Sequence, residues 1–315
     1  NNATPNGPRR SKRTRGRCPK RQASISSGSG NISFTSDEIY LDFLNAGASV
    51  SSTGGLTVQQ LSNNLTMGVG DGSFGTLNLD SNELALLSDF TSATFGNANT
   101  GNVDIQNVDL STGSYPADTT INGNAITVNT INVGANSLTL NAGDVIRSDA
   151  GSLITASAVN LEAANQSSSA DAIGTETNKI AIDVSGLVSA NAPNGGHIWL
   201  TSQDDITVGT ISTSDYVTIN AGTGGAGGII DGNGTNSNIT AQQAYLTAVN
   251  GIGADNDPLE ISSGTLSVIN TAKGDIYIAE SNDLVIAQAS NQRSDLDIVA
   301  INNITLADGL KISTI

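Results

Sequence analysis

The sequence has very few of the residues that build cross-links and metal centres. It contains one cysteine, Cys18, and one histidine, His197, among 315 residues. A single cysteine excludes an internal disulfide framework, because such a framework needs pairs of cysteines. A single histidine leaves a histidine metal cluster or a Ser-His-Asp triad with one candidate and no partner at a recognisable spacing. We expect His197 to lie at the start of a strand.

Large rings, charges and long apolar runs are also scarce. Aromatic residues make up 3% of the chain and charged residues 13%. No run of about 18 apolar residues occurs, so no membrane-spanning helix is predicted. The dominance of Gly, Ser, Thr, Asn and Ala is also typical of disorder, but regularly spaced Ile, Leu and Val triplets argue against disorder in this body.

A short pattern recurs along the chain. Residues 196–209, 274–287 and 294–307 each hold an apolar-x-apolar triplet, a polar corner with Asn or Asp, and a second triplet. Alternation with period two predicts half-buried strands, and recurrence at a fixed spacing predicts stacked units. The sequence therefore predicts an all-β fold, a parallel β-helix or β-solenoid with about 20 residues per rung.

Composition divides the chain into three regions. Residues 1–30 lack apolar periodicity and form a basic, extended N-terminal tail, residues 31–110 hold all five Phe residues and predict a bulkier core, and residues 111–315 are more regular and carry an internal duplication. The tail carries a charge of +8, whereas the rest, with five basic against 29 acidic residues, carries −24. Such an acidic body is a poor nucleic-acid binder, so nucleic acid is expected only through the tail.

One short helical turn interrupts the strand pattern. It is expected within residues 81–87, with Ser81 or Asp80 as the N-cap and Glu83 in the first turn. Ser and Asp are favoured N-caps, and an acidic first turn complements the partial positive charge of a helix N-terminus.

Several motifs of the body belong together as parts of one coil. They are Thr-Leu-Asn-Leu at 76–79, Glu-Leu-Ala-Leu-Leu-Ser-Asp-Phe at 83–90, Phe-Gly at 95–96, Gly-Asn-Val-Asp-Ile at 101–105, and the later Ile-Thr-Ala, Ile-Gly and Ile-x-Leu units. On these residues the chain from about residue 30 onward resembles the repeats of filamentous-haemagglutinin-like bacterial surface proteins. The resemblance implies a right-handed parallel β-helix that is extracellular or on the cell surface, and adhesive or structural.

Four aromatic residues are predicted to point outward. The ends of each triplet face the inside of the coil and the middle residue faces solvent, which places Trp199, Tyr216, Tyr245 and Tyr277 on the surface. Within the duplication, Trp199 and Tyr277 occupy equivalent positions. Outward rings bind sugars or anchor protein interfaces, although single exposed rings are ordinary. Rings in one stripe with Trp199 would favour a binding role, and scattered rings would not.

The two ends of the chain predict an interface between copies. The last rung of a solenoid exposes backbone and apolar side chains, so it is covered either by more of a longer chain or by the next molecule. Exposed ion pairs contribute only about 0 to 1 kcal/mol each, so docking of the tail also needs backbone pairing or the thiol. The predicted interface residues are Arg9, Arg10, Lys12, Arg13, Arg15, Arg17, Cys18, Lys20, Arg21, Ile312 and Ile315.

No cofactor is predicted, with calcium as the alternative. The glycine-rich loops at residues 70–73 and 224–234 share acidic and amide oxygens with calcium-binding repeats, but no tandem array exists, so turn formation is the simpler explanation. The acidic pairs of the body fit turn corners, and its few basic residues are well separated in sequence. We therefore predict that the protein is not an enzyme.

Together these observations predict a non-enzymatic, extracellular β-solenoid that forms or decorates a surface fibre. Head-to-tail self-association would build the filament, with the basic tail as linking arm. One alternative is an adhesin segment that binds host or surface glycans or proteins. Another is a polysaccharide-active β-helix enzyme, which would show converging acids in a groove.

Overall fold

The strands of this protein stack in parallel from one turn of the chain to the next. The structure, a computed structural model, describes residues 24–41, 48–111, 115, 117–167, 169–292, 294–308 and 313–314. The described part is a parallel β-solenoid of about 12 turns, about 22 residues apart, with almost no helix. The all-β coil predicted from the sequence is thereby confirmed.

Strands occupy most of each turn. In the first half of the chain they are β1 Ser24–Ser26, β2 Ile32–Thr35, β3 Ser49–Ser51, β4 Gly55–Gln59, β5 Met67–Val69, β6 Leu77–Leu79, β7 Leu87–Ser88, β8 Ser92–Phe95, β9 Val103–Ile105, β10 Val108–Asp109, β11 Asp118–Gly123, β12 Ile126–Asn132, β13 Ser137–Ala142, β14 Ile146–Ala156 and β15 Ala158–Ala163. The remainder are β16 Asp171–Ile173, β17 Ile180–Val184, β18 Leu187–Ala192, β19 His197–Ser202, β20 Ile206–Thr213, β21 Tyr216–Asn220, β22 Ile229–Asp231, β23 Ile239–Ala248, β24 Leu259–Asn270, β25 Ile276–Glu280, β26 Leu284–Asn291, β27 Leu296–Ala300, β28 Ile304–Leu306 and β29 Ser313–Thr314.

The strands form ladders that climb the coil on different faces. One ladder runs through β8, β11, β13, β15 and β18. Another runs through β19, β21, β23, β24 and β26. Parallel pairing with the next turn satisfies the backbone groups of inner strands, which leaves the side chains to decide what faces the core and what faces solvent.

The core is a column of stacked aliphatic side chains. In β13, Leu138 and Leu140 are buried while Thr139 between them is partly exposed, as the period-two pattern predicts. Leu138 stacks in register on Val159 of β15, which in turn stacks on Val188 of β18. Each such side chain contributes about 1.5 to 3 kcal/mol when it is fully buried. The column therefore supplies the main stabilisation of the coil.

The N-terminal turns have larger side chains in their core. Phe90, Phe95 and Met67 are fully buried there. The predicted helical turn is also confirmed as α1, Ser81–Leu84, with Asp80 as N-cap and a capping box completed by Glu83. The division of the coil into a part with larger core residues, 31–110, and a more regular part, 111–315, stays a prediction.

Some predicted features lie outside the described residues. They are the tail residues 1–23, including Cys18 and the basic cluster, and the C-terminal residues Ile312 and Ile315. Within the described part of the chain, no helix has the length and hydrophobicity needed to cross a membrane.

Buried asparagines stack inside the later turns. Asn270 and Asn291 are both fully buried, and the Asn270 side-chain amide donates to Oδ1 of Asn291 over 2.9 Å and to the carbonyl of Gly274 over 2.7 Å. Oδ1 of Asn270 accepts a hydrogen bond from the Gly251 N–H over 3.0 Å. These bonds satisfy backbone groups at a corner where the strand ladder is interrupted.

Replacing Asn270 with alanine is expected to destabilise the coil. The Asn270→Ala change leaves the buried Gly251 N–H and the Gly274 carbonyl without this partner, at about 1 to 3 kcal/mol per group. We expect a loss of roughly 2 to 4 kcal/mol in the free energy of unfolding, measured by chemical denaturation followed by circular dichroism. Asn256→Ala, at an exposed corner, is the control and should stay within about 0.5 kcal/mol of the wild type. Equal losses in the two variants would show that the buried network is unimportant.

Candidate functional site

Rings from three successive turns meet on one outward face of the coil. β19, β21 and β23 are neighbours in one ladder, and their register aligns Trp199 with Thr218 and Thr218 with Tyr245. His197 stacks on Tyr216 with ring centroids 4.4 Å apart. Tyr216 meets Tyr245 edge to face at 6.2 Å. Three of the four outward rings predicted from the sequence therefore form one stripe along the coil axis.

His197 lies between two carboxylates at the first residue of β19, where the sequence predicted it. Its Nδ1 is 3.3 Å from Oδ1 of Asp171, and its Nε2 is 3.5 Å from Oδ2 of Asp215. Each ring nitrogen of His197 therefore faces a carboxylate oxygen, and the two carboxylates fix the plane of the ring. Stacking on Tyr216 holds the same plane from the side.

Trp199 is held by polar contacts around its indole ring. The indole Nε1–H donates to Oδ1 of Asp171 over 2.6 Å. The Lys179 ammonium lies 5.4 Å from the ring centroid, within the range of a cation–π interaction, and donates to the Glu176 carbonyl over 2.7 Å. The ring is only partly buried, so it remains available to a ligand.

The segment that ends at Asp171 is held in place by hydrogen bonds from Arg147 and Asn165. Arg147 donates through Nη2 to the Asp171 carbonyl over 2.9 Å and to Oγ of Ser169 over 3.0 Å. Partial burial lowers the pKa of the Arg147 guanidinium, and the charge of Asp171 acts in the opposite direction. Asn165, itself buried, donates to the Ser169 carbonyl over 2.8 Å.

Gly196 permits the close approach of this loop to β19. Its φ of +98° lies in the region that favours glycine, and a Cβ at this position would meet the side-chain amide nitrogen of Asn165 at 2.6 Å. Any other residue would push Asn165 away from the loop or distort the turn before His197.

The rings and carboxylates enclose an open groove of about 610 Å³. We call it the aromatic groove; its lining residues are Ala170, Asp171, Glu176, His197, Trp199, Tyr216, Thr218 and Tyr245. Aromatic walls with a few convergent polar groups are typical of ligand sites. A second groove, of about 420 Å³, is lined by Lys179, which also lies over the Trp199 ring, but by none of the aromatic rings.

Tyr277 does not belong to the aromatic groove. It lies on β25 and pairs with Asp297 of β27, in a different ladder. Partial burial and four nearby aspartates raise the pKa of its phenol above the ordinary value; they are Asp275, Asp255, Asp295 and Asp297. The equivalence of Trp199 and Tyr277 in the duplicated sequence therefore does not bring the two rings onto one face.

Sequence reasoning singled out the rings but not their acidic partners. Asp171 opens β16 and Asp215 lies just before β21, 26 and 18 residues from His197, so only the stacking of neighbouring turns brings these acids to the ring. Glu176 was not distinguished from other surface acids. The sequence feature that could have indicated an acidic partner for the rings was the position of Asp171 at the start of a strand, about one turn before β19.

Metal binding is not indicated by a cluster of side chains. Among the residues that the structure describes, no three His, Cys, Asp or Glu side chains converge as a metal-ligand set. His197 has two acidic neighbours, but Oδ1 of one of them, Asp171, already accepts a hydrogen bond from the Trp199 indole. A role for calcium stays a prediction.

Comparison with known proteins assigns no relative to this chain. No family model, no curated protein and no solved structure matches it. The resemblance to filamentous-haemagglutinin-like repeats therefore stays a prediction, and the argument for function rests on the groove itself.

Removing the Asp171 carboxylate should release the Trp199 ring. Asp171→Ala deletes the acceptor of the indole N–H and one partner of His197. Because Trp199 is the sole tryptophan, its fluorescence reports this site alone, and we expect the emission maximum to move to longer wavelength by several nanometres as the ring becomes more hydrated. Asp183→Ala, at an exposed position of β17, should leave the spectrum unchanged. An unaltered spectrum in Asp171→Ala would contradict the proposed contact.

Proposed function

We propose that this chain is a non-enzymatic binding segment of an extracellular or cell-surface protein, and that its aromatic groove binds a glycan. The single observation that carries the proposal is the stripe of Trp199, Tyr216 and Tyr245 on one face. Scattered rings would have been ordinary surface residues. Rings gathered from three turns, with carboxylates around them, support a shared ligand.

The chemistry of the groove suits sugar rings. The apolar face of a sugar packs against the flat face of an aromatic ring, and Tyr and Trp supply that face together with a polar edge. Sugar hydroxyls donate hydrogen bonds to carboxylates, which here are Asp171 and Glu176 at the groove. Because the rings follow one another up the coil, a chain of sugars would lie along the coil axis.

The acidic character of the body supports a neutral or cationic glycan over a polyanion. Outside the first 30 residues the chain carries a net charge of −24, and like charges oppose association. Of the sequence alternatives, the adhesin segment fits these features best. A host protein is the other partner class that aromatic anchors would suit.

Glycan binding should depend on the stacked rings. We expect neutral oligosaccharides, screened on an array and followed by calorimetry, to bind the wild type and to quench Trp199 fluorescence. Trp199→Ala and Tyr216→Ala should each raise Kd about tenfold or more, which corresponds to about 1.4 kcal/mol. Tyr277→Ala removes a similar ring from another ladder and should bind as the wild type does.

Two results would overturn this function. One is an absence of glycan binding, or equal affinity in Trp199→Ala and the wild type. The other is cleavage of the bound polysaccharide, detected as new reducing ends, which would replace the binding role with the enzymatic alternative.

A second candidate function, head-to-tail assembly into a fibre, rests on a different surface. Four apolar side chains in β27, β28 and the corner between them are exposed, namely Val299 at 59%, Ile301 at 76%, Ile304 at 44% and Leu306 at 49%. Leu296 and Ile298 of β27 are half-buried against the core. An apolar surface of this kind marks an interaction site, and a second copy of the chain is the cover proposed here, with the basic tail as linking arm.

Self-association through this surface can be tested by sedimentation. We expect concentration-dependent oligomers for the wild type, and a shift towards monomers in Ile301→Asp because a buried, unpaired charge opposes the contact. Deletion of residues 1–23, which leaves β1 in place, and Cys18→Ser should each weaken assembly if the tail links copies. Val285→Asp, at a partly exposed lateral position of β26, should assemble normally. Monomeric wild-type protein at all concentrations would remove the fibre hypothesis.

A further inference from the structure

Phe74 is a strongly exposed ring outside the aromatic groove. It lies in the loop between β5 and β6 and, at 82% exposure, is the most exposed large apolar side chain in the described part of the chain. Single exposed rings are ordinary in proteins, so exposure alone does not indicate a function. The way in which its loop is held distinguishes Phe74 from an ordinary surface ring.

The loop is fixed on both sides of the ring. The Phe74 N–H donates to Oδ2 of Asp104 over 2.8 Å. The preceding residue, Ser73, is buried, and its hydroxyl donates to Oδ1 of Asn78 over 2.7 Å. The following residue, Gly75, lies so close to β5 that a Cβ there would clash with the backbone of that strand. The backbone position of the ring is therefore set before a ligand arrives, which lowers the entropic cost of binding.

Phe74 lines a groove of about 310 Å³. We call it the Phe74 groove; the polar side chains that line it include Asp104, Gln106, Thr127 and Asp149. Nε2 of Gln106 donates to Oδ1 of Asp104 over 2.9 Å and to Oδ2 of Asp149 over 3.1 Å, so this amide ties together acids from different turns. A ring beside carboxylates is the same combination that the aromatic groove offers.

The two grooves lie on the same ladder of strands. Asp104 of β9 pairs with Thr127 of β12, which pairs in turn with Arg147 of β14. The ladder continues through β16 to β19, and the inward isoleucines of these strands stay in register, so Trp199 takes the outward position that Arg147 takes in β14. Outward residues of one ladder face the same side of the sheet. The Phe74 groove and the aromatic groove therefore open on one side of the coil.

The second groove, of about 420 Å³, joins these two. Asp149 lines both this groove and the Phe74 groove. Lys179 also lines it, and the same ammonium lies 5.4 Å from the centroid of the Trp199 ring. The other residues that line it include the polar side chains of Thr201 and Gln203. The three grooves are therefore contiguous, with rings at both ends and hydrogen-bonding groups between them.

The length of this surface indicates a polymeric ligand. From Asp104 in β9 to Tyr245 in β23 the ladder makes six steps. Neighbouring strands lie about 4.8 Å apart, so the two ends of the surface are roughly 29 Å apart. An interface for a folded protein tends to have its aromatic anchors near its centre, whereas here the rings lie at the two ends. This arrangement suits a long, thin ligand.

We propose that the three grooves form one extended site for a linear glycan, in which Phe74 is a second anchoring ring for the chain that the aromatic groove binds. This inference rests on the glycan function proposed above and adds the length of the ligand to it. Neutral sugars offer apolar faces to the rings at either end and hydroxyl groups to the polar groups between them. A chain that reaches both ends gains affinity, because its second contact is intramolecular once the first has formed.

Affinity should rise with the length of the sugar chain. The probes are cello-, malto-, laminari- and manno-oligosaccharides of roughly two to ten sugars, titrated into the full chain by calorimetry. Within a series that binds, we expect Kd to fall at least about tenfold from the shortest binding member to the longest. Phe74→Ala should abolish this gain and leave the Kd of the shortest binding member unchanged. Trp199→Ala should weaken binding at every length.

Tyr40→Ala is the matched control. The Tyr40 ring is 64% exposed and lines none of the three grooves, so this variant should keep the full dependence on chain length. Equal affinity at all lengths would overturn the extended site and leave the glycan function standing, as would the wild-type length dependence in Phe74→Ala. If no series binds the wild type, the glycan function and the extended site are both overturned.

Discussion

Register between successive turns is the constraint on which this structure depends. Each strand pairs in parallel with its counterpart one turn away, so an inward side chain lies on an inward side chain of similar size, as Leu138 lies on Val159 and Val159 on Val188. A slip by one residue would turn every aliphatic side chain to solvent. Corners are held by other means, such as the stacked pair Asn270 and Asn291, whose amides replace missing ladder bonds. The coil therefore tolerates sequence variation at outward positions, whereas its inward positions require aliphatic side chains of similar size.

Outward positions do not face the core, so their side chains are available to form the aromatic groove. Outward positions on neighbouring turns are close in space and far apart in sequence, and the aromatic groove uses this by joining residues of β19, β21 and β23 with Asp171 from the turn below. Of the supporting groups, Asn165 and Gly196 come from corners, whereas Arg147 comes from strand β14. The strand ladder and the corners therefore both position the polar groups of the aromatic groove.

The sequence was sufficient for the coil and insufficient for the groove. Triplets such as Ile198-Trp199-Leu200 carry the inside and outside pattern within three residues, so the burial of Ile198 and Leu200 followed directly. Asp80, the N-cap of α1, was one of the two N-caps that the sequence predicted. The partners of Trp199 depend on corner lengths, which vary between turns, so neither Asp171 nor the separation of Tyr277 from the other rings was readable from spacing.

The position of the aromatic groove along the coil has a consequence for its durability. In a solenoid each turn is supported only by its two neighbours. The turns that hold β19, β21 and β23 have described turns on both sides of them. The aromatic groove is therefore supported from both directions along the coil, and unfolding that reaches it has to open a neighbouring turn first.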